Sequence, residues 1–187
     1  MHKTKRKIFE KSIELFANKG YEATSIEEIT SVVGIAKGTL YYHFESKEEI
    51  YNFLITEGMN LLKNSIEIKT AKLKNSIDKI KAIILIQIKV SVKYEGFVRL
   101  LLSEMWGNEK RNIICKNCIK DYIKIIENIV QEGLDKKEIN GGNSTTIAYG
   151  IFGVICSCLI SNQNARETIN IQELYKEFSE YIVKGLK

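Results

Sequence analysis

Thr24-Ser25-Ile26-Glu27-Glu28-Ile29-Thr30-Ser31-Val32-Val33-Gly34-Ile35-Ala36-Lys37-Gly38-Thr39-Leu40-Tyr41-Tyr42-His43-Phe44 reads as two short helices broken at a glycine. Ile26, Ile29 and Val33 give the first helix one apolar stripe, and Thr24 followed by Glu27 predicts the capping box that opens it. Gly34 can adopt the positive φ that a sharp turn needs. In the second helix, Lys37 to His43, Leu40 and Phe44 lie four residues apart and point inward together. Lys37, Thr39, Tyr41 and Tyr42 are left with the outer surface.

Working toward the N-terminus, Ile8, Phe9, Ile13, Leu15, Phe16 and Ala17, with Ser12 among them, recur at three- and four-residue spacing and predict a helix over 5–19 that Gly20 ends. Lys3, Lys5, Arg6 and Lys7 form a basic arm ahead of it. Toward the C-terminus, Ser46-Lys47-Glu48-Glu49 is a second capping box, and Ile50, Phe53, Leu54, Leu61 and Leu62 carry a long helix from there. Residues 76–94, 97–106, 110–134, 144–160 and 171–186 each read as helices. Asn170-Ile171-Gln172-Glu173 is a capping-box candidate for the last of them, and Gly141-Gly142 is the clearest hinge.

The stretch Ile84 to Val92 alternates with period two from Ile86 and is rich in β-branched residues, a strand pattern. It is assigned to a helix because no second such run exists to pair with it, and a lone strand would leave its amides unsatisfied. The expected fold is therefore all-α, with a small N-terminal helical unit and a larger C-terminal one.

The formal charge of +5 on 187 residues is modest, so the position of the charges matters more than their sum. No apolar segment follows the basic arm as in a secretory signal, and the most apolar run, 82–86, is far below the ~20 residues that span a bilayer. A cytoplasmic protein without membrane contact is expected. No nucleophile-base pair, paired-carboxylate signature or glycine-rich phosphate loop is present, so neither catalytic residues nor a cofactor are expected. His43 has only His2 as a fellow histidine, which argues against a metal site there. The cysteines fall in two close pairs, Cys115 with Cys118 and Cys156 with Cys158. Both pairs sit in apolar helical stripes and read as small hydrophobes, with a zinc site of four thiolates as the sharper alternative.

Two short helices joined through a glycine turn have the dimensions to lay the second in a major groove of double-stranded DNA while the first crosses the backbone. Helix starts near Ser25 and Lys37 can offer amides to phosphates, and the basic arm adds charge that fixes position without reading sequence.

Three blocks in order, Phe16-Ala17-Asn18-Lys19-Gly20-Tyr21-Glu22-Ala23-Thr24-Ser25-Ile26, Gly34-Ile35-Ala36-Lys37-Gly38-Thr39-Leu40-Tyr41-Tyr42-His43-Phe44 and Ser46-Lys47-Glu48-Glu49, resemble the DNA-binding region of the tetracycline-repressor (TetR) family of transcriptional regulators. The resemblance covers about the first quarter of the chain. It implies a three-helix DNA-binding domain with a helix-turn-helix over 1–47, a helical ligand-binding and dimerisation domain over 48–187, and a homodimeric regulator, more often a repressor, that binds operator DNA and is released by a small molecule. It also implies that Gly38 lets the second helix approach DNA closely, that Lys37 and Thr39 face base edges or phosphates, and that Tyr41, Tyr42 and His43 contact phosphate or a thymine methyl. Lys47 would neutralise a phosphate.

For the ligand, Tyr94, Phe97, Met105, Trp106, Tyr122 and Phe152 are the apolar candidates to line a cavity, with Gln87 or Glu104 as the group that orients the guest. Ordinary core packing explains the same positions. Gly150, Gly153 and Ser157 make a stripe of small residues, and Leu174, Phe178, Tyr181, Ile182 and Gly185 an apolar one. Such stripes suit helices shared between two subunits, and the resemblance implies a dimer through the last two long helices. Alternative readings are a thiol- or metal-responsive regulator on the same scaffold, or a non-catalytic helical structural protein.

Overall fold

The computed structural model describes residues 3–107, 109–164 and 170–187, with the side chains of all of these except 155 and 159–164. The elements in order are α1 (Lys3–Lys19), α2 (Ile26–Val33), α3 (Lys37–His43), α4 (Lys47–Thr70), α5 (Ser76–Lys93), α6 (Glu95–Ser103), a 3₁₀ turn (Glu104–Trp106), α7 (Lys110–Asp135), α8 (Ser144–Asn164) and α9 (Ile171–Leu186). No strand occurs among the described residues. The contested stretch Ile84 to Val92 lies inside α5.

The chain packs into two compact units that are not contiguous in sequence: residues 1–58 with 96–118, and residues 59–95 with 119–187. The division of the sequence at 47/48 follows the helix-turn-helix, whereas these units follow packing. The chain passes from the first unit to the second inside α4, and α6 with the start of α7 joins the N-terminal helices.

In the first unit, α1, α2 and α3 close on Ile8, Phe16, Ile29, Leu40, Tyr51 and Leu54, each at most 1% exposed. Gly34 has φ +70, and its amide donates to the carbonyls of Thr30 and Ser31, which ends α2 and turns the chain into α3. Phe97 packs so close to Gly58 that a Cβ there would sit 2.3 Å from the ring. In the second unit, α5 packs on α8 and α9. Ile80, Ile84, Ile88, Ile126 and Val130 are all fully buried. Leu61, expected on the inner stripe of α4, is exposed.

Three local expectations are corrected. The basic residues 3–7 belong to the first turns of α1 and are not a free arm. The box that opens α2 is shifted by one residue: Ser25 Oγ accepts from the Glu28 amide at 3.1 Å, and the Glu28 carboxylate accepts from the Ser25 amide at 2.9 Å. Thr24 is committed elsewhere, because its buried hydroxyl donates to the Gly20 carbonyl and closes the turn behind α1. At the start of α4, Ser46 Oγ accepts from the Glu49 amide, but the Glu49 carboxylate reaches the Glu45 amide instead of that of Ser46. For the last helix, Asn170 caps as expected, accepting from the amides of Gln172 and Glu173.

Ser25→Ala is expected to lower thermal stability by about 1 kcal/mol, the usual worth of a lost N-cap, read as a fall in the melting temperature. Lys19 and the Ser25 amide hold the Glu28 carboxyl down from 4.5 to about 2. A depressed carboxyl stabilises the fold above its unfolded value, so this contribution is complete above about 4.5 and is lost as pH falls from there toward 2.

Candidate nucleic-acid interface

The recognition surface is built by one face of α3. Leu40 and Phe44 point into the core and are buried, which fixes the rotation of this short helix. Lys37, Gly38, Thr39, Tyr41 and Tyr42 consequently face outward, Tyr42 with 84% of its surface exposed. So exposed a tyrosine ring adds little to packing and is a candidate contact residue. His43 is half-buried, its ring edge-on to Tyr42 at 5.1 Å. Ala36, at the start of α3, supplies no side-chain cap.

The cations around this face are held by the protein's own groups. Lys37 Nζ lies 2.7 Å from the Glu27 carboxylate and 6.0 Å from the centre of the Tyr41 ring. Lys47 Nζ donates to the Tyr21 carbonyl at 2.9 Å and sits 4.3 Å from the Tyr21 ring centre. Lys5 stands over the rings of Phe44 and Phe53 at 5.1 and 5.6 Å. Ser25 spends its hydroxyl on the capping box. From the sequence Glu27 reads as the capping-box partner of Thr24 and not as a partner of Lys37, because ten positions separate the two and only the turn at Gly34 brings them together.

Of the eight residues expected to line or orient a guest in a ligand cavity, three are brought together. Gln87, Tyr122 and Phe152 meet in the second unit: Gln87 Nε2 donates to the Tyr122 hydroxyl at 2.7 Å, and the Tyr122 and Phe152 rings are 6.0 Å apart. Burial pushes the Tyr122 phenol well above its ordinary value. Oε1 of Gln87 is buried without a hydrogen-bond partner. Phe97 and Glu104 belong to the first unit instead, Phe97 against Gly58 and Glu104 in contact with Asn112 and Arg111. Tyr94 ends α5 on the surface and Trp106 is 85% exposed, so neither lines an interior. Their rings make them candidates by residue type, but each falls where its helical element ends.

Cys115 and Cys118 lie in the first unit and Cys156 and Cys158 in the second, and none of the four forms a disulfide among the described residues. Burial pushes Cys115 up to about 12, helped by the Glu104 carboxylate, and Cys158 up to about 11. Thiols so raised stay protonated at neutral pH and are poor nucleophiles. His2 lies outside the described residues, as do the side chains of 155, 159 and 160 in the apolar run of α8. No helix among the described residues is long and apolar enough to cross a membrane.

A three-helix head whose second and third helices are joined at a left-handed glycine, with a polar and aromatic third helix turned outward, defines a DNA-binding transcriptional regulator of the helix-turn-helix type. Residues 8–53 match the family model of the bacterial regulatory proteins of the tetR family. A solved structure from Clostridium perfringens, described as that of a candidate fatty acid metabolism regulator, superposes with a TM-score of 0.91 at 31% identity over 97% of this chain and 98% of its own. The regulator FadR from Bacillus subtilis, solved in complex with stearoyl-CoA, superposes with a TM-score of 0.84 at 22% identity over 97% of this chain and 99% of its own. The negative transcriptional regulator IcaR of the biofilm operon icaADBC of Staphylococcus aureus is 40% identical over 74 residues, 40% of each chain. The chain spans about two fifths of the length of the curated relatives it matches. The chain belongs to the tetR family of bacterial regulatory proteins.

Proposed function

We propose that the protein is a cytoplasmic, homodimeric repressor that reads operator DNA with α3 and is released by a small molecule bound in its second unit. The observation that carries the DNA assignment is the outward face of α3, where Lys37, Gly38, Thr39, Tyr41 and Tyr42 are all exposed while Leu40 locks the helix from beneath. On this reading Gly38 permits close approach, Lys37 and Thr39 reach base edges, and Tyr41, Tyr42 and His43 contact phosphates or a thymine methyl. Lys47 leaves the Tyr21 carbonyl to meet a phosphate, and the start of α2 at Ser25 lies against the backbone. The negative regulation named for IcaR supports repression.

The dimer would form through α8 and α9. Gly150, Ser157, Gly185 and Tyr181 are exposed in the single chain, Tyr181 at 75%, and a Cβ at Gly150, Gly153 or Gly185 would meet open space. A second copy fills such a face by close approach of backbones.

The effector is assigned to the class of fatty acyl compounds. The Clostridium perfringens relative is described as a fatty acid metabolism candidate, and FadR was solved with stearoyl-CoA. The buried pair Gln87 and Tyr122 beside Phe152 offers such a guest one polar anchor among apolar walls. Release follows from linkage: an effector that prefers a dimer whose α3 helices no longer match half-sites about one helical turn (~34 Å) apart weakens DNA binding by the factor by which DNA weakens effector binding.

Band-shift titration with the DNA upstream of the protein's own gene tests this. Tyr42→Ala and Lys47→Ala are each expected to weaken binding by about tenfold, from loss of a contact of about 1–3 kcal/mol, with the dimer unchanged on gel filtration. Unaltered affinity in both variants would sink the assignment of α3. Stearoyl-CoA added to the complex is expected to free the DNA.

A further inference from the structure

We propose that Glu27 is a specificity-setting residue of the DNA-reading head: its carboxylate holds the Lys37 ammonium in an intramolecular pair, which Lys37 leaves only where the DNA offers it better acceptors. The inference rests on the assignment of α3 to the DNA interface. The pair spans the first turn of α2 and the first residue of α3 at 2.7 Å, across a shallow groove lined by Thr30, Ser31, Gly34, Ile35 and Ala36. Both side chains are in water, 68% exposed for Glu27 and 55% for Lys37.

The capping box of α2 is made by Glu28, which also holds Lys19, and not by Glu27. The Glu27 carboxylate takes its own backbone amide in the first turn of α2, and its carbonyl accepts from the Thr30 hydroxyl. A carboxylate on a phosphate-facing surface opposes binding, and the side-chain partner that this one holds is Lys37. Lys37 draws Glu27 below the ordinary carboxyl value, and Glu27 raises Lys37 in turn.

The physical consequence concerns the balance between indiscriminate and selective binding. Affinity for any duplex comes from counterions released as cations neutralise phosphates, and it scales with the number of such cations. A lysine already neutralised by a carboxylate displaces no further counterion, so the pair lowers affinity for DNA of arbitrary sequence. At the right sequence, guanine O6 and N7 present adjacent acceptors that compete with a single exposed carboxylate. An exposed ion pair is weak enough for that exchange to occur.

The test is fluorescence anisotropy of the full chain with a labelled duplex of random sequence, from about 50 to about 200 mM KCl, for the native protein, Glu27→Gln, Lys37→Gln and the double variant. Glu27→Gln is expected to bind about eightfold more tightly near 0.1 M salt, because one more neutralised phosphate multiplies the binding constant by roughly the salt concentration to the power −0.9. It should also lose about threefold more affinity across the salt range than the native protein. Lys37→Gln alone should leave the slope close to native, and the double variant should lose the gain made by Glu27→Gln.

A native slope in Glu27→Gln, or a gain that persists in the double variant, overturns the proposal. If the native protein binds with an ordinary salt slope while Glu27→Gln is unresponsive, only the role of Glu27 falls. If none of the four proteins binds DNA in a salt-dependent manner, the interface assignment falls with it.

Discussion

Phe16→Ala is expected to destabilise the DNA-binding unit by about 3–5 kcal/mol, the usual cost of emptying a fully buried phenylalanine site. The residue is 1% exposed and sits at the centre of an aromatic trio: its ring lies 6.1 Å from Tyr21 in a stacked arrangement and 5.3 Å from Tyr51 edge to face. Tyr21 and Tyr51 meet edge to face at 5.2 Å, so the cavity would open between two rings that cannot both move into it. The consequences extend to the surface. Lys47 and the Arg111 guanidinium both stand over the Tyr21 ring, at 4.3 and 4.6 Å, and a displaced Tyr21 loosens the cations it seats. Differential scanning fluorimetry should register a fall of roughly 10 °C, at about 2–4 °C per kcal/mol for a chain of this size. Phe16→Leu, which keeps most of the volume, should lose far less. A fall of under about 2 °C in Phe16→Ala would mean that the trio does not hold the unit together.

The second large effect is expected from Glu104→Ala, at about 2–4 kcal/mol, because it removes a nearly buried carboxylate from under its partners. Asn112 Nδ2 donates to this carboxylate, Arg111 Nε lies 3.6 Å from it, and the Tyr51 phenol is buried beside it. Without Glu104 the buried Asn112 amide loses its acceptor. Arg111 keeps Glu22 at 3.1 Å and Glu109, so its charge is not stranded, and the cost stays below that of a fully orphaned ion. Glu104→Gln retains an acceptor for Asn112 and should cost about 1–2 kcal/mol. From the sequence, Glu104 was a candidate to orient a ligand, and the variants separate the two roles. A lowered melting temperature with an unchanged response to stearoyl-CoA is the expected result for Glu104→Gln. A normal melting temperature with a lost response would return the residue to the ligand site.

Much of this protein could be read from local pattern. The rotation of α3 followed from Leu40 and Phe44 alone, since residues four apart share a face and the apolar face must be buried. The turn at Gly34 followed from the cost of positive φ to any other residue, and the start of α9 at Asn170 from its fit as a cap. The strand-like alternation of Ile86 to Val92 was overruled correctly by hydrogen-bond accounting, because a strand needs a partner that the sequence does not contain.

Other features depended on groups distant in sequence. The capping box slid from Thr24 to Ser25 because the Thr24 hydroxyl is drawn to the Gly20 carbonyl, a competition that the motif spacing does not reveal. Tyr94 and Trp106 carry rings suited to a cavity, but helix ends put them on the surface. Gln87, Tyr122 and Phe152 come from three helices, and no periodicity within one helix reports what faces it from another.

The helical architecture and the outward face of α3 are legible in the chain alone. Both rest on interactions within a few residues, where backbone geometry fixes which side chains are neighbours. Folding in three dimensions is what packs α6 and the start of α7 with the N-terminal helices, brings Glu27 to Lys37 and the Tyr21 carbonyl to Lys47, and joins Arg111 to Glu22. Those pairings join residues from 10 to 89 positions apart, and they exist only once burial of the apolar faces has brought the helices together.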